Sequence, residues 1–430
     1  MKLKGAITTL ILAVACMRVF AGGFQINEHS SRAMALGGAF TAIADDPSAL
    51  YFNGAGITQL NGTQFLIGTT LITPTSSFRG VAPATNEYKI EKQVFFPTHV
   101  YITQKLNDKF AVGLGFNSPF GLGTKWDDSW PGKYLAIETS VKTFAFNPTV
   151  AYKVMDELSV SASFVYSFAR VNITKKMPQY NSQAPLAGDA FVDLSGTDDA
   201  AFGFHLGILA KPVKNLSIGL SYHSQTKYNF SGTAKIDASH QLVDMGAIPA
   251  NSPIKADLKT PANIAIGVAY DLFPQLKLSA EYQYVGWSSY DVLKVEFTDP
   301  KYESLTTSSK RDYENAYIIR FGADYKLNDN LSLLGGIYYD KDPVKAEMLN
   351  PSLVDADRIG LSIGAHYKIN EKLGASLSYL FVRGEQMDIS NSTQDYSGMG
   401  MLQANQPIAP FNGTYNSYAN LLAISFNYSL

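Results

Sequence analysis

Beyond residue 60 the chain alternates apolar with small or polar positions over strand-length segments. In residues 158–168 one parity is apolar throughout, at Leu158, Val160, Ala162, Phe164, Tyr166 and Phe168. The other parity carries Ser159, Ser161, Ser163 and Ser167. The same period of two runs through residues 359–369 and 422–430. A period of two with one apolar face predicts strands, and segments of about ten such residues are typical of membrane β-barrels.

Six short polar turns interrupt this alternation. They are Lys105–Lys109, Lys153–Leu158, Lys211–Leu216, Asp271–Leu276, Lys326–Leu331 and Lys368–Leu373. Asn, Asp and Pro favour tight turns, and each interval between turns holds two strand-length segments and one longer polar loop. Six turns join twelve strands, and one further strand at each end gives fourteen. This count predicts an all-β, antiparallel barrel with both ends and all six turns on the periplasmic side. The alternative is a soluble β-sandwich with one solvated face.

The N-terminus predicts export and a separate segment ahead of the barrel. Residues 1–21 carry Lys2 and Lys4, a short apolar core and a small-residue cleavage site ending at Ala21, which together indicate a signal peptide. Residues 22–60 are rich in Gly, Ala and Ser and show no strand alternation. They form either a plug inside the barrel or a periplasmic tail. The barrel itself is predicted over residues 61–430.

Composition narrows the classes of function. The chain is 46% hydrophobic but only 17% charged, and no stretch beyond the N-terminus offers the roughly 18 apolar residues of a membrane helix. Loss of the signal peptide takes the net charge from −2 to about −5 and removes Cys16, the only cysteine. We therefore expect no nucleic-acid partner and no disulfide. The six histidines show no metal-binding spacing and no Gly-x-Ser-x-Gly elbow is present, so no cofactor, metal or catalytic residue is predicted.

Several short blocks resemble a known family. They are Gly23–Arg32, Ala42–Pro47, Asn53–Ala55, Ser118–Trp126, Tyr166–Ile173, Ala316–Gly322, Asp355–Arg358 and Phe426–Leu430. In order and along the whole mature length, they resemble the FadL/TodX family of outer-membrane transporters for long-chain fatty acids and aromatic hydrocarbons. The resemblance implies a barrel with an N-terminal hatch, an extracellular groove, an internal pocket, and lateral exit of ligand at a kinked third strand.

The resemblance also assigns residues to the hatch and the exit. The kink matches Pro119, Phe120 and Gly121, which agrees with proline's missing N–H and with the weak strand pairing of glycine. The hatch motif of the family, Asn-Pro-Ala, corresponds to Asn53, Gly54 and Ala55, and we expect these residues beside the kink.

Recognition of a ligand carboxylate is implied at two basic positions. One falls on Lys175, with Arg170 close by as a further candidate for the carboxylate, and the other falls on Glu314, which has the wrong sign. Arg320, Lys310 or Arg311 are the candidate substitutes. An isolated carboxylate in an apolar pocket is costly and needs such a partner.

The predicted function is passive uptake of hydrophobic molecules, foremost long-chain fatty acids, by a monomer in the outer membrane. The expected partners are the ligand, outer-membrane lipid and the barrel-assembly machinery. The alternatives are an uptake channel for aromatic hydrocarbons, a general porin and an outer-membrane lipase.

Overall fold

A computed structural model describes residues 23–180, 185–238, 246, 248–394 and 410–430. Side chains are described for these residues except in the stretch 179–188. The predicted signal peptide, residues 1–21, lies outside the described residues.

Fourteen antiparallel strands form the wall of the molecule. They are β1 (Thr63–Gly80), β2 (Thr98–Lys105), β3 (Phe110–Asn117 and Gly121–Lys125), β4 (Glu138–Met155), β5 (Leu158–Tyr180), β6 (Pro185–Val213), β7 (Leu216–His223 and Thr226–Asp237), β8 (Asn251–Thr260 and Asn263–Phe273), β9 (Leu276–Val285), β10 (Ala316–Lys326), β11 (Leu331–Asp340), β12 (Arg358–Lys368), β13 (Leu373–Gly384) and β14 (Gly413–Ser429). Short strands Glu87–Lys89, Val292–Phe297, Thr307–Lys310 and Met387–Ile389 lie in the long loops. The predicted strand count and turns are confirmed.

The sheet closes on itself because β1 pairs with β14 along its full length, from Gln64 opposite Ser429 to Gly80 opposite Gly413. All six turns lie at one end, where backbone hydrogen bonds join each turn to the next. Each bond runs from a backbone N–H to a backbone carbonyl: Lys105 to Gly62, Lys153 to Lys109, Lys211 to Glu157, Asp271 to Asn215, Lys326 to Gln275, Lys368 to Asn330, Ser429 to Lys372 and Leu430 to Thr63. This rim of bonded turns runs once round the barrel.

The alternation of the sequence becomes an outside and an inside. Outward positions are apolar and exposed, as at Val150 (52% exposed) and Ile363 (67%), whereas inward positions such as Thr149 and Ser163 are buried. Exposed apolar residues continue on almost every strand, which is the arrangement of a barrel whose wall faces lipid. No helix in the described ranges is both long enough and apolar enough to cross a bilayer.

Residues 23–60 pack against the inner face of the wall. They contain helices α1 (Ser31–Ala35) and α2 (Ala49–Phe52) and a 3₁₀ helix over Gly54–Gln59. The backbone N–H groups of Ser31 and Gly37 donate to Ser425 and Ser362 on β14 and β12. Across the barrel, Thr58 donates to Ser159 on β5. Small inward residues permit this approach, because a Cβ at Gly336 would overlap the backbone of Gly37.

Candidate ligand-binding site

The third strand breaks at Ser118–Phe120, and the N-terminal segment completes its hydrogen bonding. Pro119 offers no N–H to a neighbouring strand, but its carbonyl accepts the N–H of Ile26 at 3.0 Å. The N–H of Gly121 donates to the carbonyl of Phe24, also at 3.0 Å, and Gln25 forms an antiparallel bridge with Phe120. On the side of β4, the Thr143 hydroxyl accepts a hydrogen bond from the N–H of Phe120 at 2.9 Å. The break is therefore fixed by specific partners.

The break leaves a gap between β2 and β3, here called the wall gap. Pairing of these strands stops at Val100 opposite Phe116. Within the described residues, β4 is the only wall strand that pairs with Gly121–Lys125. A cavity of about 490 Å³ lies at this place. Its lining includes inward residues such as Val141 and Thr143 and outward residues such as Lys142 and Phe144. Residues from both faces of β4 therefore border this cavity.

A second cavity of about 440 Å³ lies towards the extracellular loops and has a basic end. Apolar side chains dominate its wall, among them Leu122, Val171, Ile173, Phe230, Leu258 and Leu293. Lys175, Lys310 and Arg311 line the same cavity. Its size and its few charged groups in an apolar lining are typical of a small-ligand pocket.

Two of these cations, Lys175 and Arg311, face the cavity without an anionic partner. Neither forms an ion pair in the described part of the structure, and the Arg311 Nε is buried without a hydrogen-bond partner. Lys175 lies 17 residues beyond the start of β5, about 40 Å up a tilted strand and above an apolar band of about 25 Å. Burial, and then the charge of Arg311, lower the pKa of Lys175 to about 8. The cavity end thus holds two uncompensated cations.

Phe24 lies where the two cavities meet. It lines both of them, and its ring packs against Phe120, Trp287 and Tyr290 at centroid distances of 6.0, 4.8 and 6.1 Å. The segment that completes the hydrogen bonding of the break therefore also separates the basic cavity from the wall gap.

Three basic or acidic candidates from the sequence do not reach this cavity. Arg170 is on the outward parity of β5, with Tyr166 and Phe168, so its side chain points away from the lumen. Arg320 is buried and donates to Glu281 at 2.8 Å, which makes it part of the packing around residues 23–60. The Glu314 side chain is 61% exposed and lies 3.9 Å from Lys345. Arg170 and Arg320 therefore lie away from this cavity.

No hydrogen bond in the described residues joins Asn53–Ala55 to the kink. The Asn53 amide donates to the carbonyls of Thr41 and Ile208 at 2.9 Å, and its oxygen caps the following 3₁₀ helix at Ala55. A Cβ on Gly54 would lie 2.9 Å from the Ser161 hydroxyl. These contacts place the motif against β5 and β6, whereas Phe24–Ile26 occupy the kink.

Histidines that are scattered in sequence come together inside the barrel. His205 and His223 stack at 3.7 Å, and His29 packs on Tyr51 at 3.9 Å. Two Ser–His contacts also occur, His366 with Ser376 at 2.9 Å and His99 with Ser425 at 3.3 Å. Over the described residues no carboxylate is hydrogen-bonded to either of these two rings, and no cluster of three metal-ligating side chains is found. The orienting carboxylate of a hydrolase triad is thus missing there.

Comparison with known proteins identifies the family of this barrel. The family described as "outer membrane protein transport protein (OMPP1/FadL/TodX)" matches residues 12–430. The chain belongs to this family. Among relatives of this FadL/TodX protein, the long-chain fatty acid transport protein of Salmonella typhi is 27% identical over 433 residues, covering 92% of this chain and 95% of that one.

Solved structures agree with the FadL/TodX fold. A Pseudomonas aeruginosa FadL homologue superposes with a TM-score of 0.82 at 18% identity, covering 96% of this chain and 100% of that one. The Ralstonia pickettii toluene transporter TbuX gives 0.69 at 17% identity, with 96% and 99% covered. The predicted family, barrel and outer-membrane localisation are confirmed.

Proposed function

We propose that this FadL/TodX-family protein takes up long-chain fatty acids, with Lys175 and Arg311 binding the carboxylate in the cavity of about 440 Å³. The observation that carries the proposal is the pair of cations without an anionic partner at one end of an apolar cavity. A cavity for neutral hydrocarbons gains nothing from two half-buried charges, because their desolvation is unfavourable unless an anion compensates it. A carboxylate supplies that anion, and the apolar lining takes the alkyl chain.

The path proposed for the ligand leads from this cavity past Phe24 to the wall gap. Residues 23–60 act as the hatch, and their buried contacts inside the barrel leave little room for an axial path of the kind that a general porin needs. Lateral exit is favoured on energetic grounds. A chain of sixteen carbons that enters water loses about 0.8 kcal/mol per methylene, on the order of ten kcal/mol in all, whereas entry into lipid avoids this loss.

Carboxylate binding is tested with the double variant Lys175→Gln/Arg311→Gln. Hydrogen bonds to charged groups contribute about 1.5–3 kcal/mol each, so we expect oleate affinity to fall at least about tenfold. Binding of oleyl alcohol, which has no carboxylate, stays within about twofold. The measurement is equilibrium binding to the purified barrel.

The matched control is Lys310→Gln, which removes a cation from the same cavity wall. Lys310 is 61% exposed and already lies 3.1 Å from Asp312, so oleate binding should hardly change. Equal binding of oleate to wild type and double variant contradicts the fatty-acid assignment. Toluene uptake by that same double variant then tests the hydrocarbon alternative.

Lateral exit is tested by rebuilding the kink as a regular strand, with Thr-Val-Thr in place of Pro119–Gly121. The new N–H at residue 119 and the β-branched side chains favour pairing with β2, which closes the wall gap. We expect uptake of labelled oleate to stop while the barrel still assembles and binds oleate. Unchanged uptake by that folded variant rules lateral exit out.

A further inference from the structure

Two cations face outward at one height on neighbouring strands. Lys142 on β4 and Arg170 on β5 are Cα partners in the antiparallel pair, and both side chains are exposed on the outer face. Side chains directly opposite one another on one face have Cβ atoms about 4.5–5.5 Å apart, and like charges in such positions are destabilising. The arrangement therefore needs an anion to offset it.

The protein itself provides no such anion among the described residues. In those residues, the side chains of Lys142 and Arg170 form no ion pair and no hydrogen bond. Asp198 and Asp199 follow Thr197, the Cα partner of Arg170 on β6, but Asp198 accepts the N–H groups of Ala200 and Asn229 instead. The two cations remain open to solvent or lipid on the outer surface.

Their height corresponds to the polar boundary of a bilayer. Below them the outward positions of β4 are Tyr152, Val150, Pro148, Phe146 and Phe144. From Tyr152 to Lys142 a tilted strand rises about 25 Å, which is the height of the apolar band of an outer-membrane barrel. The rings of Phe144 and Phe168 stack at 5.1 Å one step below the cations, where aromatic residues mark the membrane interface.

The pair also lies at the rim of the wall gap. Lys142 is the Cα partner of Gly121, the last residue of the kink, and it lines the cavity of about 490 Å³. A group bound by Lys142 and Arg170 therefore lies beside the mouth of that cavity on the lipid side.

We propose that Lys142 and Arg170 form a binding site for the phosphate of an outer-leaflet lipid at the rim of the wall gap. Charge complementarity and height select this occupant, because lipid phosphates are the anions at that level, and arginine with lysine is a usual pair for binding them. The bound lipid places its acyl chains along Phe144 and Phe168. The site is separate from Lys175 and Arg311, so it does not depend on the ligand that the barrel transports.

The test uses the full-length barrel in detergent, and native mass spectrometry counts the lipids it retains. The probes are lipid A with both phosphates, dephosphorylated lipid A and inorganic phosphate as competitor. We expect Lys142→Gln/Arg170→Gln to weaken retention of phosphorylated lipid A at least about tenfold. The charge-preserving swap Lys142→Arg/Arg170→Lys retains it. The control Lys109→Gln/Lys214→Gln removes two exposed cations from the periplasmic turns and should leave retention unchanged.

Each other outcome overturns the proposal. Equal retention by wild type and Lys142→Gln/Arg170→Gln shows that these cations bind no lipid. An equal loss in the periplasmic control shows a net-charge effect. Displacement of lipid A by millimolar inorganic phosphate indicates a site for the free ion. Removal of two opposed like charges should not impair folding, and the single variants Lys142→Gln and Arg170→Gln repeat the test with smaller changes.

Discussion

At the scale of single residues, the position of Lys175 beside Arg311 is the main chemical feature. Two like charges near each other in an apolar cavity disfavour the protonated form of the lysine, and burial does so more strongly. Binding of a carboxylate reverses this effect, because an opposite charge favours the ammonium form. Ligand binding and protonation of Lys175 are therefore linked.

This linkage predicts a pH dependence for carboxylate binding. The pKa of Lys175 without ligand is about 8, so below this pH the ammonium is already present and affinity is constant. Above it, binding requires uptake of a proton, and affinity falls by up to about tenfold per pH unit. Calorimetry with octanoate between about pH 6.5 and 9.5 measures this. Lys175→Met should flatten the profile and Lys310→Met should not; a profile that is flat in wild type contradicts the linkage.

The sequence predicted some of these residues and not others. Lys175 and the kink followed from the resemblance, and Arg311 was one of three candidate substitutes. The outward position of Arg170 could have been predicted, because Arg170 shares its parity with Tyr166 and Phe168. Arg320 has inward parity, but its partner Glu281 is 39 residues away on another strand, so only the fold reveals that it is already paired.

At the scale of elements, the short helix α1 is held by ions as well as by packing. The Arg32 guanidinium lies 3.1 Å from Asp324 on β10 and 3.7 Å from Asp46, and it also binds Asp45. One arginine thus joins two parts of residues 23–60 to the wall. Removal of one member of such a buried network leaves the others uncompensated.

We predict that Arg32→Ala loosens the segment inside the barrel. Three carboxylates would lose their shared cation, at a cost of about 3 kcal/mol or more. Cells that carry the variant should become sensitive to vancomycin, a large polar antibiotic that an occupied barrel excludes. Lys277→Ala is the control, because Lys277 lies 3.8 Å from Asp45 and is partly exposed. Equal resistance of both variants contradicts a role for Arg32 in seating the segment.

The break in β3 shows why element-level prediction was incomplete. Pro119 and Gly121 correctly indicated a loss of pairing, since the reason is local to those residues. Which chain replaces the lost partner is a non-local question, and the structure answers it with Phe24–Ile26. The breaks in β7, between His223 and Thr226, and in β8, between Thr260 and Asn263, were not predicted.

At the scale of the whole molecule, the fold was largely predictable because two simple sequence patterns specify a barrel. Period-two alternation gives the inside and outside of each strand, and the polar turns give the count. The path of residues 23–60 was not predictable, because it depends on small residues on several strands that meet only after closure. Gly336 on β11 and Gly219 on β7 are two such positions.

The apolar band predicts a depth dependence for charged substitutions on the outer face. Ile363 lies five residues above the turn that starts at Lys368, near the middle of the band, and Ile369 lies in the turn itself. Arginine costs about 2–4 kcal/mol at the midplane and about 0–1 at the interface. Urea titration of barrels folded into lipid vesicles should show Ile363→Arg destabilised by that larger amount. Similar free energies for Ile363→Arg and Ile369→Arg would contradict the position of the band.

The bonded rim of turns has a mechanical consequence. Each turn is hydrogen-bonded to its neighbours, and the bond from Leu430 to Thr63 joins the end of the last strand to the start of the first. Widening the base by one strand spacing, about 4.8 Å, would break the hydrogen bonds along a whole seam as well as the rim bond above it. Thermal motion therefore does not widen the base of the barrel. The upper wall can deform more easily, because there the third strand has already exchanged a neighbouring strand for Phe24–Ile26.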